Sequence, residues 1–181
     1  MGSATPHRPT HTKAPRVAWW IATGFGSGRL RPAPGTWGSL AALLVWALGA
    51  NLLRGGYTAT VLLGLTAPLL MTGIGIWASD RVVVETGVGD PAFVVADEWA
   101  GQWIALVPLL FTGALQTPRW AWHLAVPFLL FRLFDIWKPG PVDATQRLPG
   151  GWGVVLDDVV AGLFAALLTW PVDVGLLHLL H

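Results

Sequence analysis

The chain has 181 residues, of which 54% are hydrophobic and only 12% are charged, and its mean hydropathy is +0.57. These values lie far from those of soluble globular proteins and predict one helical membrane domain. The net charge of +1 offers no basic stripe for nucleic acid. The absence of cysteine excludes disulfides, thiolate zinc sites and cysteine nucleophiles.

The first 18 residues are rich in proline, threonine and basic residues and contain no apolar run. A secretory signal needs an apolar segment directly after its positive charges, so residues 1–18 are predicted to be a disordered N-terminal arm. The remaining residues, 19–181, form the predicted membrane domain.

Five apolar stretches follow and predict an all-α bundle of about five transmembrane or membrane-embedded helices. Most of them approach the ~20 residues that cross a ~30 Å hydrocarbon core, although the first is short enough for a tilted or re-entrant helix. An extension of the last stretch to Leu180, past Pro171, is left open. The stretches are Ser39–Leu53, Thr58–Ala78, Glu98–Leu115, Trp120–Trp137 and Val154–Leu168.

Lysine and arginine predict which side of the membrane each helix end faces. With the N-terminus in the cytoplasm, eight basic residues fall on the cytoplasmic side and only Arg54 and Arg119 on the other. This is the positive-inside bias. The same topology brings the acids at the ends of the stretches to the cytoplasmic face, although the acids play no part in the count. The eight basic residues are Arg8, Lys13, Arg16, Arg29, Arg31, Arg81, Lys138 and Arg147.

Carboxylates in or beside bilayer-length helices are costly, so they usually mark a site. Structural alternatives remain open: acids in a first turn complement the helix dipole, and Arg132 and Asp135 compensate each other at a spacing of three residues. A cluster of acids without histidine or cysteine suits a hard cation such as Mg2+, which prefers oxygen ligands. Such a cation beside arginine and lysine suits phosphoryl transfer or the hydrolysis of a phosphate ester.

Glycine-rich segments are predicted at the same face as the acids. Residues 24–28 (GFGSG) and 34–39 (PGTWGS) precede the first helix, and residues 149–153 (PGGWG) precede the last. Free N–H groups at a helix N-terminus suit a phosphate, although a plain capped turn has the same composition. Thr36 is then either a cap or a hydroxyl donor to the anion. Lys138, which precedes a proline, is either a phosphate contact or a snorkelling anchor.

In their order along the chain, these motifs resemble the bacterial phosphatidylglycerophosphatase A family over about residues 19–170. The resemblance rests on the glycine-rich segments 24–28 and 34–39, the pair Asp97-Glu98, residues 131–141 (FRLFDIWKPGP), and residues 150–153 followed by Asp157-Asp158 and Ala161-Gly162. It implies an all-helical enzyme of the bacterial inner membrane. Such an enzyme takes phosphatidylglycerophosphate from the inner leaflet and releases its terminal phosphate with Mg2+, at the cytoplasmic face.

The resemblance also implies roles for individual residues. The attacking group stays open between a carboxylate and a water molecule with a carboxylate as its base. The implied catalytic residues are Asp97, Glu98, Asp135, Asp157 and Asp158, and the implied metal ligands are Asp97, Glu98, Asp157 and Asp158. The implied phosphate-binding residues are Gly26, Ser27, Thr36, Arg132 and Lys138.

Two other classes of membrane protein stay open on the residues alone. A lipid phosphotransferase that uses CDP-alcohols also needs Mg2+ and carboxylates at cytoplasmic helix ends, but its dense aspartate motif is missing here. A small ion- or proton-coupled transporter predicts acids deeper along the helices and broken helices in both halves. The acids of this chain cluster at one predicted interface instead, which favours the phosphatase. The oligomeric state is not predicted by any of these patterns.

Overall fold

The computed structural model describes residues 13–53, 56–117 and 120–180, and these residues form helices and turns without a strand. The predicted all-α class is therefore confirmed. The α-helices are α1 Arg16–Ala22, α2 Pro34–Leu52, α3 Tyr57–Thr86, α4 Ala96–Leu106, α5 Trp120–Trp137, α6 Pro141–Gln146 and α7 Gly151–Leu180. Short 3-10 segments lie at Gly24–Arg29, Val107–Leu110 and Ala114–Gln116.

The predicted N-terminal arm, residues 1–18, lies mostly outside the described residues, but its last part belongs to the fold. Helix α1 begins at Arg16, and Ala18 is fully buried in a cluster with residues of α3. The backbone N–H of Ala14 and the Nε1 of Trp19 both donate to Glu85 Oε2, at 2.8 Å and 2.9 Å. Residues 14–22 thus pack with α3, and the prediction for residues 1–12 lies outside the described residues.

Among the described residues, three helices are long and apolar enough to cross a membrane, namely α2, α3 and α7. Helix α2 has 19 residues, which is about 28 Å at 1.5 Å per residue, so its five residues before Ser39 give the first stretch a membrane-spanning length. Helix α3 ends at Thr86 rather than at Ala78, and α7 continues through Pro171 to Leu180. The bounds predicted for α5 agree with the structure.

The prediction of one helix over Glu98–Leu115 was wrong. Helix α4 has 11 residues, about 17 Å, and is too short to cross a bilayer. Pro108 has no N–H to continue the helix, and Gly113 turns the chain at a φ of 83°. Hydropathy misled here because α4 is apolar for a different reason: it packs against α2, α3, α5 and α7 in the middle of the bundle.

The contact between α4 and α7 depends on two glycines. A Cβ atom on Gly162 would lie 2.4 Å from the carbonyl oxygen of Gly101, and one on Gly101 would lie 2.5 Å from the carbonyl oxygen of Asp158. The two backbones therefore touch, as they do at small-residue crossings of membrane helices. Gly101 lies one turn after Glu98, and Gly162 lies one turn after Asp158, so this crossing brings their carboxylates together.

A buried polar pair joins α5 and α7 further along both helices. His123 Nδ1 is hydrogen-bonded to Asp173 Oδ1, and the two side chains are 1% and 0% exposed. The hydroxyl of Thr169, one turn before Asp173, is buried and has no hydrogen-bond partner among the described residues. This pair links α5 and α7. Together these two helices carry four residues predicted for the site, namely Arg132, Asp135, Asp157 and Asp158.

Candidate active site

A cavity of about 590 Å³ opens where α2, α4 and α7 begin and α5 ends. Acids and bases that are up to 61 residues apart in sequence meet there. Pro34 and Gly35 of α2 also line the cavity, as do Gln146 and Leu148 at the end of α6. All the ionisable residues that were predicted for the site line this cavity: Asp97, Glu98, Arg132, Asp135, Lys138, Asp157 and Asp158.

Three of the carboxylates form a group whose spacing suits a cation. One oxygen each of Asp97, Glu98 and Asp158 lies within 4.8 Å of the other two. Glu98 Oε2 and Asp158 Oδ2 are buried and have no hydrogen-bond partner in the described part of the chain. A buried carboxylate oxygen without a partner is costly, so these atoms fit a metal ligand set. An all-oxygen set fits Mg2+.

The electrostatics of α4 agree with a cation at this group. Burial raises the pKa of Asp97 well above its ordinary value, and the neighbouring charge of Glu98 raises it further. Burial also raises the pKa of Glu98, against the lowering effects of its hydrogen bond with Asp97 and of Arg132. Carboxylates crowded into a low-dielectric site repel one another, and a divalent cation relieves that repulsion.

The other two carboxylates are each held by a cation. Lys138 Nζ donates to Asp157 Oδ2 at 2.6 Å. Arg132 Nη1 contacts Asp135 Oδ2, as its spacing predicted, and lies 3.9 Å from Glu98 Oε1. Asp157 therefore stands outside the group of three, and its role as a metal ligand stays a prediction.

Lys138 reaches Asp157 through an unusual backbone conformation. Its φ is 48°, in the left-handed region that side chains rarely adopt, directly after the end of α5. Pro139 prevents α5 from continuing. The turn directs the ammonium group back towards α7, where it donates to Asp157. Lys138 therefore lines the acidic cavity and does not only anchor the end of α5 at the membrane surface.

Three residues predicted to bind the substrate phosphate do not line the acidic cavity: Gly26, Ser27 and Thr36. Ser27 Oγ donates to the carbonyl oxygen of Gly24 at 2.8 Å and accepts from Trp99 Nε1 at 3.4 Å. The segment around it is a 3-10 turn that packs against the buried side of α4, which the sequence pattern does not distinguish from a phosphate loop. The backbone N–H of Thr36 donates to the carbonyl oxygen of Ala33.

Gly35 is a site residue that the sequence analysis did not single out. A Cβ atom on Gly35 would lie 2.1 Å from Glu98 Oε1 and 3.3 Å from Arg132 Nη1. A side chain at position 35 would therefore displace the Glu98 carboxylate from its present place in the cavity. The sequence analysis singled out the hydroxyl group of Thr36 in the segment PGTWGS. The residues of the segment that line the cavity are instead Pro34 and Gly35.

Comparison with known proteins identifies the family. Residues 20–173 match the family model described as phosphatidylglycerophosphatase A. The chain belongs to the phosphatidylglycerophosphatase A family. The resemblance drawn from the motifs is thus confirmed, and membership makes the chain a phosphoric monoester hydrolase of phosphatidylglycerol synthesis.

Relatives of known name agree with this family. The chain is 39% identical to phosphatidylglycerophosphatase A of Escherichia coli K12 over 147 residues, covering 81% of this chain and 77% of the relative. It is 36% identical to the Haemophilus influenzae protein of the same name over 162 residues, covering 87% and 89%. It is also 43% identical, over 150 residues that cover 82% and 88%, to a Bacteroides thetaiotaomicron protein named as a candidate phosphatidylinositol-3-phosphatase. No solved structure matches the chain.

Proposed function

We propose that the acidic cavity is where the chain hydrolyses phosphatidylglycerophosphate to phosphatidylglycerol and inorganic phosphate, with Mg2+ as cofactor. The family supports the reaction. The observation that carries the choice of site is the convergence of five carboxylates, one arginine and one lysine from α4, α5 and α7 on one cavity.

Asp97, Glu98 and Asp158 are the residues that would hold Mg2+, because their oxygens are close together and two of them are unpartnered. The bound ion would supply electrophilic stabilisation of the charge on the phosphoryl oxygens. Asp157 and Asp135 hold Lys138 and Arg132 in the cavity in the absence of substrate.

When the phosphate monoester enters, Lys138 and Arg132 neutralise its remaining negative charge, since both are charged donors within the cavity. Their movement towards the phosphate frees Asp157 and Asp135 in part. One of these carboxylates then takes a proton from a water that attacks phosphorus, or attacks phosphorus itself. In both routes the bond between phosphorus and the glycerol oxygen breaks, and phosphatidylglycerol leaves with that oxygen protonated. In the second route a water then hydrolyses the aspartyl phosphate and releases inorganic phosphate. An aspartyl phosphate trapped by acid quench during turnover would select the second route, and turnover without any trapped phosphate would select the first.

The apolar end of the substrate is proposed to stay beside α5. Ile136 lines the cavity and is 72% exposed, and Leu133 and Trp137 on the same helix are 52% and 67% exposed. These side chains form an apolar rim next to a polar cavity, which suits a lipid whose acyl chains remain in the bilayer while its headgroup enters.

We also propose a multi-pass protein of the bacterial inner membrane with its N-terminus and the acidic cavity at the cytoplasmic face. The positive-inside bias supports this orientation. Helix α5 has 18 residues, about 27 Å, and is proposed to lie in the membrane beside α2, α3 and α7, with α4 enclosed among them. The N-terminus and the phospholipid of the inner leaflet are then on the same side as the site.

The reaction is tested by inorganic phosphate release from phosphatidylglycerophosphate dispersed in detergent. The purified protein is expected to release phosphate with Mg2+, to stop in excess EDTA, and to recover when Mg2+ is added back beyond the chelator. Phosphatidylinositol 3-phosphate serves as the second lipid, because a relative is named for it. Equal release with and without EDTA would contradict the metal site, and no release from the first lipid would contradict the function.

The orientation is tested by single cysteines, since the natural chain has none. Asn51 and Ala144 are exposed, the first at the end of α2 and the second on α6 beside the acidic cavity. A membrane-impermeant thiol reagent is expected to label Asn51→Cys in spheroplasts and Ala144→Cys only after lysis. The reverse pattern would place the cavity at the outer face.

A further inference from the structure

A second cavity, of about 330 Å³, lies between α1 and the 3-10 segment Gly24–Arg29. Its lining combines two arginines, Arg16 and Arg29, with the aromatic rings of Trp19, Trp20 and Phe25. None of these residues lines the acidic cavity. Arg16 and Trp19 precede residues 20–173, the segment that matches the family, and the other lining residues lie within it. No carboxylate among the described residues lines this cavity, so the proposed metal site does not extend into it.

The cavity carries positive charge that no nearby acid neutralises. Between positions 13 and 37 the sequence has four basic residues and no acidic one. Within the described ranges, no carboxylate forms an ion pair with Arg16 or Arg29. The acid on the neighbouring helix α3, Glu85, instead accepts hydrogen bonds from Trp19 Nε1 and from the backbone of Ala14.

Apolar side chains stand exposed around the same arginines. Val17 and Trp20 are 54% and 61% exposed and share one face of α1 at a spacing of three residues. Phe25 is 59% exposed and is held at a φ of 54°, a costly conformation for an aromatic residue. Exposed aromatic residues beside arginines, next to the start of a membrane-spanning helix, are typical of a surface that inserts at the lipid headgroup level.

We propose that this cavity binds the headgroup of an anionic membrane phospholipid that is not the substrate. Arg16 and Arg29 contact the phosphodiester, since the guanidinium group matches phosphate oxygens with paired donors. Trp20 and Phe25 lie along the glycerol and the first part of the acyl chains. The described residues that line the cavity include no carboxylate that would hold a metal, so the site binds a phosphodiester without cleaving it.

The bound lipid would also stabilise α4, which carries two of the acids of the acidic cavity. The ring of Phe25 lies 5.4 Å from that of Trp99, and Trp99 follows Glu98 on α4. A lipid that holds the 3-10 segment in place therefore stabilises the first turn of α4.

The test measures lipid selectivity in vesicles of phosphatidylcholine that contain the protein, with EDTA present so that no turnover occurs. Spin-labelled phosphatidylglycerol and spin-labelled phosphatidylcholine are compared by the fraction that the protein immobilises. Each arginine is expected to contribute about fivefold to the preference for the anionic lipid. The double variant Arg16→Gln/Arg29→Gln should therefore lose about 25-fold of that preference.

The matched control is Lys13→Gln/Arg31→Gln, which removes the same charge from residues that do not line the cavity. It is expected to keep most of the preference. The proposal would be overturned if both double variants lost the preference for phosphatidylglycerol equally, or if neither lost it. Displacement of the labelled phosphatidylglycerol by excess inorganic phosphate at constant ionic strength would also overturn it, because the site would then be one for free phosphate.

The cavity variants are expected to release phosphate from detergent-dispersed substrate at the wild-type rate, which shows that they fold. If the double variant fails this check, Arg16→Gln and Arg29→Gln are measured singly. An unchanged lipid preference in both would then overturn the proposal. Lipid selectivity is read without catalysis, so this result and the failure of the proposed reaction are distinguishable.

Discussion

Asp158→Asn is expected to lower phosphate release, at a Mg2+ concentration that saturates the wild type, by roughly a thousandfold or more, which is about 4 kcal/mol in the activation barrier. The substitution keeps the size of the side chain and removes its charge. Asp158 is 3% exposed, belongs to the group of three carboxylates, and has one oxygen without a partner in the described chain. Its loss leaves too little negative charge to hold a divalent cation against the surrounding apolar bundle.

The matched control for this variant is Asp143→Asn. Asp143 pairs with Arg147 on the surface of α6, where the two side chains are 51% and 79% exposed. Exposed pairs of this kind contribute little, so activity and stability should remain close to wild type. A turnover of Asp158→Asn within about tenfold of wild type would contradict the assignment of the site.

Asp157→Asn separates the roles of the two adjacent aspartates. Asp157 holds Lys138 at 2.6 Å and is one of the two proposed bases or nucleophiles, so the variant is expected to bind Mn2+ like the wild type while it loses phosphate release. Loss of Mn2+ binding in this variant would instead make Asp157 a metal ligand.

Gly162→Val is expected to lower both the thermal midpoint and the activity, the latter by about a hundredfold. A Cβ atom at this position would lie 2.4 Å from the backbone of Gly101, which has no flexible side chain that could move aside. Overpacking of this kind costs about 1–3 kcal/mol. Relief of the clash would push α7 away from α4 and separate Asp158 from Glu98, one turn from the contact.

Gly175→Val is the control on the same helix, because a Cβ atom there meets no other part of the described chain within 4 Å. This variant is expected to keep the thermal midpoint and the phosphate release of the wild type. If Gly162→Val behaved like Gly175→Val, the close crossing of α4 and α7 would not be what sets the geometry of the site.

The sequence predicts the convergence of the acids better than it predicts the bounds of the individual helices. Charge asymmetry placed the acids at one end of the bundle, and the structure does bring Asp97, Asp135 and Asp158 to one cavity. Local sequence patterns predict the bounds of α5 correctly, because Trp120 marks its start and the proline after Lys138 marks its end.

The failures concern properties that hydropathy and composition cannot separate. An apolar run predicts burial but not whether lipid or protein does the burying, which is why α4 was predicted to be too long. Glycine and serine suit both a phosphate loop and a tight packing turn, and Ser27 lies against Trp99 outside the acidic cavity. The His123–Asp173 pair joins residues 50 apart in sequence, so no local spacing indicates it.

The most direct test of the metal site is the binding of Mn2+, as a spectroscopic substitute for Mg2+, to the detergent-purified protein without lipid. Free Mn2+ is counted by electron paramagnetic resonance for the wild type, Asp158→Asn and Asp143→Asn. Saturable binding that Mg2+ displaces is expected in the wild type and in Asp143→Asn, and it should be lost in Asp158→Asn. Equal binding in all three proteins would contradict the assignment of the metal to Asp97, Glu98 and Asp158.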